Sequence, residues 1–223
     1  MAVVDALARE VGSVGQLLHT LKPKQWEQPT RCPPMNVREL TAHMLRGAVR
    51  IHDMLDKGPV DAEPERDGTT YFQAWDGDAA AGAAAEVVQR AQEASASFPK
   101  DLAKTWDLEW TKALQRARMY VNDDPVLHSI FGLMRLTEYL KTRCVEVVIH
   151  HMDVDDALGR KPHPDNAALE IVGDVMRGLL GTDLRPVGVD DVRFALIGSG
   201  RAPLNDDERR VLGPLTQKFP LFS

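Results

Sequence analysis

Residues 143–151 read Arg-Cys-Val-Glu-Val-Val-Ile-His-His (RCVEVVIHH). An arginine, a glutamate and two histidines stand here in an otherwise apolar run. Burying such groups unpaired costs several kcal/mol, so the chain must offer them partners. Read outward, the run belongs to a longer helical pattern whose stripe is Leu136, Leu140, Val147, Val154 and Leu158, with Val145, Val148, Ile149 and Met152 on the other faces. A helix that is apolar on most sides is a central, buried one. The pattern begins near Leu127 or Leu133 and ends at Leu158, where Gly159 closes it. The fold is therefore built around this helix.

At about 100° per residue, positions three and four apart share a helix face. Arg143, Glu146, His150 and Asp153 have that spacing, whereas His151 points elsewhere. A carboxylate and an imidazole one turn apart form a two-point metal clamp, since zinc accepts both at about 2.0–2.2 Å. A third ligand has to come from another helix. The stretch RELTAHMLRG offers His43, next to Leu40 and Met44 on an inward stripe. A single histidine there would more often be an ordinary core residue; the joint presence of four polar groups on one face brings the metal reading level with the plainer one, and spacing alone leaves both open. Two histidines and one glutamate leave a fourth position open, as in catalytic zinc sites. Asp153 would orient a ligand histidine from behind.

The rest of the chain fits helices around this core. Val4, Leu7, Val11, Val14, Leu18 and Leu21 mark a first helix ended by Pro23. The proline-rich loop KPKQWEQPTRCPP is expected to be extended. Asn36 and Glu39 form a capping box opening a second helix that Lys57-Gly58-Pro59 stops. An acidic irregular stretch, 59–78, contains the aromatic patch TTYFQAW. An alanine-rich third helix covers 79–97. Residues 100–125 are expected to hold a short strand or an irregular lid, because Trp106, Leu108 and Trp110 alternate with polar residues. A fifth helix runs from an Asp165 cap to Leu180. The tail is expected to form one short strand, a glycine-rich turn and a helix capped by Asn205. The fold class is thus mainly α: an antiparallel four-helix bundle over residues 1–160 with a small α+β extension over 161–223.

Composition sets bounds on function. The 223 residues are 43% hydrophobic and 27% charged, with a net charge of -6, which argues against a generic nucleic-acid binder. No apolar run reaches the roughly 20 residues that span a membrane, and the N-terminus lacks a signal-peptide layout. Two cysteines make no disulfide framework, so the expected compartment is the cytoplasm. The expected state is a monomer or homodimer.

Two stretches carry a family resemblance. WEQPTRCPPMNVRELTAHMLRG and YLKTRCVEVVIHHMDVDDALG resemble the two signatures of the mycothiol-dependent maleylpyruvate isomerase N-terminal family, within the DinB-like helical bundles. The likeness covers roughly residues 1–160, and GSGRAPLNDDERRVLG is similar to the ending of many members. The resemblance implies His43, Glu146 and His150 as ligands of a divalent metal, usually zinc, and Arg201 as an arginine approaching the site from the tail. Met35 departs from the family, where most members have tryptophan, so loop packing or the substrate pocket would differ.

The resemblance also implies mycothiol as cosubstrate. A thiol with a pKa near 8.5 is mostly protonated at neutral pH, and metal coordination deprotonates it. The expected enzyme, a transferase or isomerase, would direct the thiolate at a small electrophile. Arg143 or Arg201 would hold a substrate carboxylate, although for Arg143 the plainer reading, neutralising Asp153 or Glu146, is preferred. Cys144 faces away and reads as core. The alternatives are a non-catalytic metal-binding protein and a metal-dependent hydrolase.

Overall fold

A computed structural model describes residues 2–74, 78–98, 101–185 and 188–222. Trp75, in the aromatic patch, and Pro99 lie outside the described residues. The first helix, α1 (Ala2–Thr20), buries Val4, Leu7, Val11, Val14 and Leu18 along one stripe. One turn of helix, α2 (Pro23–Trp26), then interrupts the loop expected to be extended. Proline is well tolerated in a first turn, where its missing N–H leaves no bond unmade. The capping box on α3 (Val37–Lys57) forms in both directions between Asn36 and Glu39. Residues 70–73 make a further turn, α4 (Thr70–Gln73), which buries Tyr71 and Phe72. The alanine-rich helix is α5 (Asp78–Ser97).

The segment expected to be a strand or lid is a full helix, α6 (Leu102–Tyr120), capped by Asp101. Its buried set, Leu102, Ala103, Trp106, Trp110, Ala113, Leu114 and Ala117, has helical spacing. Leu108, which completed the apparent alternation, is 54% exposed. The apolar residues after Pro125 form a hairpin, β1 (Val126–Ser129) with β2 (Gly132–Arg135), antiparallel with Val126 opposite Arg135. The central helix, α7 (Leu136–Ala157), therefore starts later than Leu127 or Leu133. Gly132 adopts φ +123° at the turn, a conformation that glycine tolerates best.

Four helices close a ring: α1 packs on α6, α6 on α3, α3 on α7 and α7 on α1. The third bundle helix is thus α6, not the alanine-rich helix, and α5 packs against α3 from outside the ring. Trp106 and Trp110 fill the interior, and Trp106 Nε1 donates to the Val11 carbonyl at 3.0 Å, tying α6 to α1. The architecture is mainly α and DinB-like.

Beyond α7, α8 (Asn166–Leu180) takes the expected Asp165 cap and packs on α1 and α7. The strand expected in the tail is a helix, α9 (Asp191–Gly198), whose Phe194, Ala195 and Ile197 are buried beside α8. The last helix, α10 (Asp206–Leu212), carries the Asn205–Glu208 capping box. The expected β component of the tail is therefore absent among the described residues. None of the described helices is long and apolar enough to cross a membrane.

Candidate metal centre

α3 and α7 run side by side in the ring, which brings His43 to the face of α7 that carries Glu146 and His150. His43 Nε2 lies 3.3 Å from Glu146 Oε2, and His150 Nε2 lies 3.7 Å from the same oxygen. The two imidazoles meet edge to face with centroids 5.1 Å apart. One donor atom from each residue falls within 4.8 Å of the others. Ligands on a zinc-like ion at about 2.0–2.2 Å are themselves about 3.3 Å apart, so small side-chain adjustments would suffice. The three side chains are 18%, 26% and 13% exposed, so the cluster meets solvent at its edge.

The support for His150 is fixed from behind. Its Nδ1 is 3.0 Å from Asp153 Oδ2. In the neutral imidazole that a metal would require, a proton on Nδ1 leaves Nε2 as the lone pair on the Glu146 side. Asp153 is fully buried and held in turn by Arg201, whose Nε donates to Oδ1 at 3.2 Å and whose Nη2 donates to Oδ2 at 3.0 Å. Arg201 also donates to the Ser199 carbonyl. Its guanidinium is thus committed to Asp153 and does not face the cluster as a free cation.

Burial works against the Asp153 charge. Its bonds to His150 and Arg201 prevail and hold the carboxyl well below the usual range. Burial likewise opposes charge on His150, but Asp153 and Cys32 push it up to about 10 in the metal-free protein. His43, with no such second carboxylate, is lowered by burial. Burial would raise Glu146, yet the His43 contact and the nearby Arg143 charge keep it ionised.

Arg143 does not pair with Asp153 or Glu146 as preferred from the sequence. It is 4% exposed, donates to Tyr71 Oη at 3.3 Å and to Thr142 Oγ1 at 3.1 Å, and lies 4.9 Å from the Tyr139 ring centroid. Among the described residues, no carboxylate is within ion-pairing distance of it. Burial pushes the Tyr71 phenol up to about 12, so Tyr71 remains a neutral partner. Arg143 acts on the cluster as a buried positive charge one turn from Glu146. Cys144 is buried on another face, its thiol raised first by that burial, in keeping with a core role.

One residue of the site was passed over in the sequence. Cys32 Sγ donates to Asp153 Oδ2 at 3.2 Å, accepts from Arg201 Nη2 at 3.4 Å and lies 3.9 Å from His150 Nδ1. The signal was the loop itself. Thr30 Oγ1 donates to the Met35 carbonyl and accepts from the Cys32 N–H, folding Thr-Arg-Cys-Pro-Pro-Met into a tight turn. Arg31 pairs with Asp156, which fastens the turn to α7. Met35, at the end of this loop, is buried in the core.

Cys32, His150 and Asp153 also form a potential ligand set through the other nitrogen of His150. There the buried guanidinium of Arg201 already occupies the cation's place. His43, Glu146 and His150 have no such competitor in contact and are the better metal donors.

A model of the family described as mycothiol maleylpyruvate isomerase N-terminal domain matches residues 7–155. No curated protein and no solved structure matches the chain.

Proposed function

The chain belongs to the mycothiol maleylpyruvate isomerase N-terminal domain family, and on that premise we propose that it is a metal-dependent enzyme acting with mycothiol on a small electrophile. His43, Glu146 and His150 hold a divalent cation, zinc by the character of a two-imidazole, one-carboxylate donor set. When bound, the cation supplies the Lewis acidity that keeps a thiol ionised at neutral pH. The observation that carries the reading is the convergence of three donors from α3 and α7 with one edge of the cluster open to solvent.

The chain's own residues have distinct tasks. Asp153 keeps the His150 proton on Nδ1, and Arg201 keeps Asp153 ionised and in place. Arg143, almost wholly buried, adds positive charge one turn from Glu146. Both arginines are thus positioning residues rather than hands for a substrate carboxylate. The bundle of residues 1–160 provides the donors, and the extension of 161–223 delivers Arg201 to it. The protein acts in the cytoplasm as a monomer or homodimer, and the reaction is conjugation of the thiol or a thiol-assisted isomerisation.

The test is a thiol-consumption assay with zinc-loaded protein, mycothiol and a panel of small electrophiles. The expected result is turnover that is abolished by chelation and by His150→Ala. Turnover of ester or amide substrates without added thiol would replace this reading with the hydrolase. Metal binding without any turnover would replace it with the non-catalytic protein.

A further inference from the structure

α7 carries a second pair of ligating side chains one turn apart, His151 and Asp155, on a different face from Glu146 and His150. Five residues separate the two pairs, about 140° around the helix. His151 and Asp155 are both fully buried. His151 Nδ1 is 2.7 Å from Glu10 Oε1 on α1, and the other Glu10 oxygen accepts the Asp165 N–H at 2.6 Å. Glu10 is itself buried and anchored at both oxygens, so the His151 proton belongs on Nδ1. That leaves Nε2 as a lone pair.

This lone pair has no hydrogen-bond partner; Asp155 Oδ1 has no hydrogen bond either, but it pairs with Arg160 Nε at 3.4 Å. Nearly all buried polar atoms in folded proteins find a partner, so such orphans call for an explanation. His151 Nε2 instead faces Asp155 Oδ2 at 3.9 Å. The same carboxylate oxygen is 2.7 Å from Nδ1 of His163, whose ring sits edge to face on His151 with centroids 4.8 Å apart. His163 belongs to the connection between α7 and α8, and its side chain is 42% exposed. It gives the buried pair a route to solvent and a ligand free to adjust.

We propose that His151, Asp155 and His163 form a second divalent-cation site, with Glu10 as the carboxylate behind the His151 ligand. A histidine bound to metal through one nitrogen characteristically donates the other N–H to a carboxylate, and the Glu10–His151 pair has this arrangement. Two imidazoles and one carboxylate suit a zinc-like ion better than calcium or magnesium, which take oxygen ligands. All three donors already lie within 4.8 Å of one another. On binding, His151 and Asp155 draw together by about 0.6 Å towards the spacing of zinc ligands, and His163 swings away from its direct bond. Arg160 lies 3.4 Å from Asp155 Oδ1, the oxygen the cation does not need, and its Nη2 is 3.3 Å from His163 Nε2; with a 44% exposed side chain it can turn out to solvent when the cation binds. Arg201 in the first cluster, by contrast, engages both oxygens of Asp153 and is well buried. The site's role is structural: it clasps α1, α7 and the start of the extension at one point. It does not depend on the function proposed above.

Zinc content after saturation and desalting, with thermal melting as a second readout, tests the proposal. The proteins are the wild type, His163→Ala, the double variant His43→Ala with Glu146→Ala, and the triple variant. His163 is exposed, so its replacement leaves the fold intact. The expected contents are about two zinc ions per chain in the wild type, about one in His163→Ala, about one in the double variant and none in the triple variant. Zinc should also raise the melting temperature of the double variant. The proposal is overturned if His163→Ala binds as much zinc as the wild type, or if the double variant binds none. In the latter case His151 is an imidazolium bridging Glu10 and Asp155. One zinc that survives the double substitution but not His163→Ala would uphold this site and sink the proposed catalytic one.

Discussion

Two polar clusters share one helix and differ in how they are closed. His43, Glu146 and His150 meet at the seam of α3 and α7, each side chain partly exposed, and their support comes from a loop cysteine and a tail arginine. His151 and Asp155 lie on another face of α7 against Glu10 of α1, all three fully buried, with His163 reaching solvent. Both use the same one-turn spacing of carboxylate and imidazole. A helix with ligands on two faces can thus carry a reactive centre on one side and a structural tie on the other. What separates them is access, and access decides whether a third molecule can approach.

The largest effect should come from the closed cluster. Glu10→Ala strips the partner from a buried His151 N–H and from the Asp165 N–H, and should cost about 3–5 kcal/mol in urea unfolding. A cost near zero would mean that this network rearranges freely, and the contrast between the clusters would fail.

Zinc should stabilise the open cluster next most strongly. At a hundred times its dissociation constant, a ligand bound to one site adds about 2.7 kcal/mol, and Glu146→Ala should remove one site's share of that gain. Equal zinc stabilisation of wild type and variant would place all the metal elsewhere.

Arg201→Gln probes the support of the open cluster. Loss of two charged hydrogen bonds to buried Asp153 should cost about 1.5–3 kcal/mol at neutral pH and weaken zinc binding about 10–100-fold. The pH dependence has a definite sign. Asp153 is depressed in the folded state, so its contribution is complete above its unfolded pKa of about 3.9 and is lost as pH falls through the folded value. The stability gap between Arg201→Gln and wild type should therefore narrow in acid. A gap independent of pH would show that Arg201 works through packing alone.

The smallest effect should be that of Cys32→Ser, which retains a donor to Asp153 and should shift stability by no more than about 1 kcal/mol. Thiol turnover should persist in this variant. Lost turnover with metal content intact would instead make Cys32 the reacting sulfur.

The open cluster is legible in the sequence and the closed one is not, and the difference has physical causes. The spacing of Arg143, Glu146, His150 and Asp153 places them on one face of a helix whose other faces are apolar, and the Asn36–Glu39 box fixes where α3 begins. Together these put Glu146 and His150 on one helix face and set the register of His43 on α3. α6 was misread because exposed Leu108 falls between Trp106 and Trp110 and imitates a strand's alternation. The stretch from Leu127 to Leu133 is apolar enough to extend a helix, but Gly132 takes a positive φ and the Ser129 hydroxyl accepts from the Phe131 N–H and donates to the Gly132 carbonyl, closing a hairpin turn. Cys32 and Glu10 are illegible because their partners are remote in the chain: Cys32 lies 121 positions from Asp153 and Glu10 lies 141 from His151; His151 and Asp155 do have the one-turn spacing, but they face away from the first cluster. Such pairings are made by tertiary packing and leave no local period.

The central claim is that the open cluster holds a metal whose vacant position takes a thiol. Its most direct test is the visible and near-ultraviolet spectrum of the cobalt(II)-loaded protein titrated with mycothiol, in wild type and in the Glu146→Ala, His150→Ala double variant. The account predicts a new thiolate-to-cobalt charge-transfer band on adding thiol to the wild type, saturating at one thiol per open site and absent from the variant. A cobalt spectrum that thiol leaves unchanged, or the same band in both proteins, would contradict it.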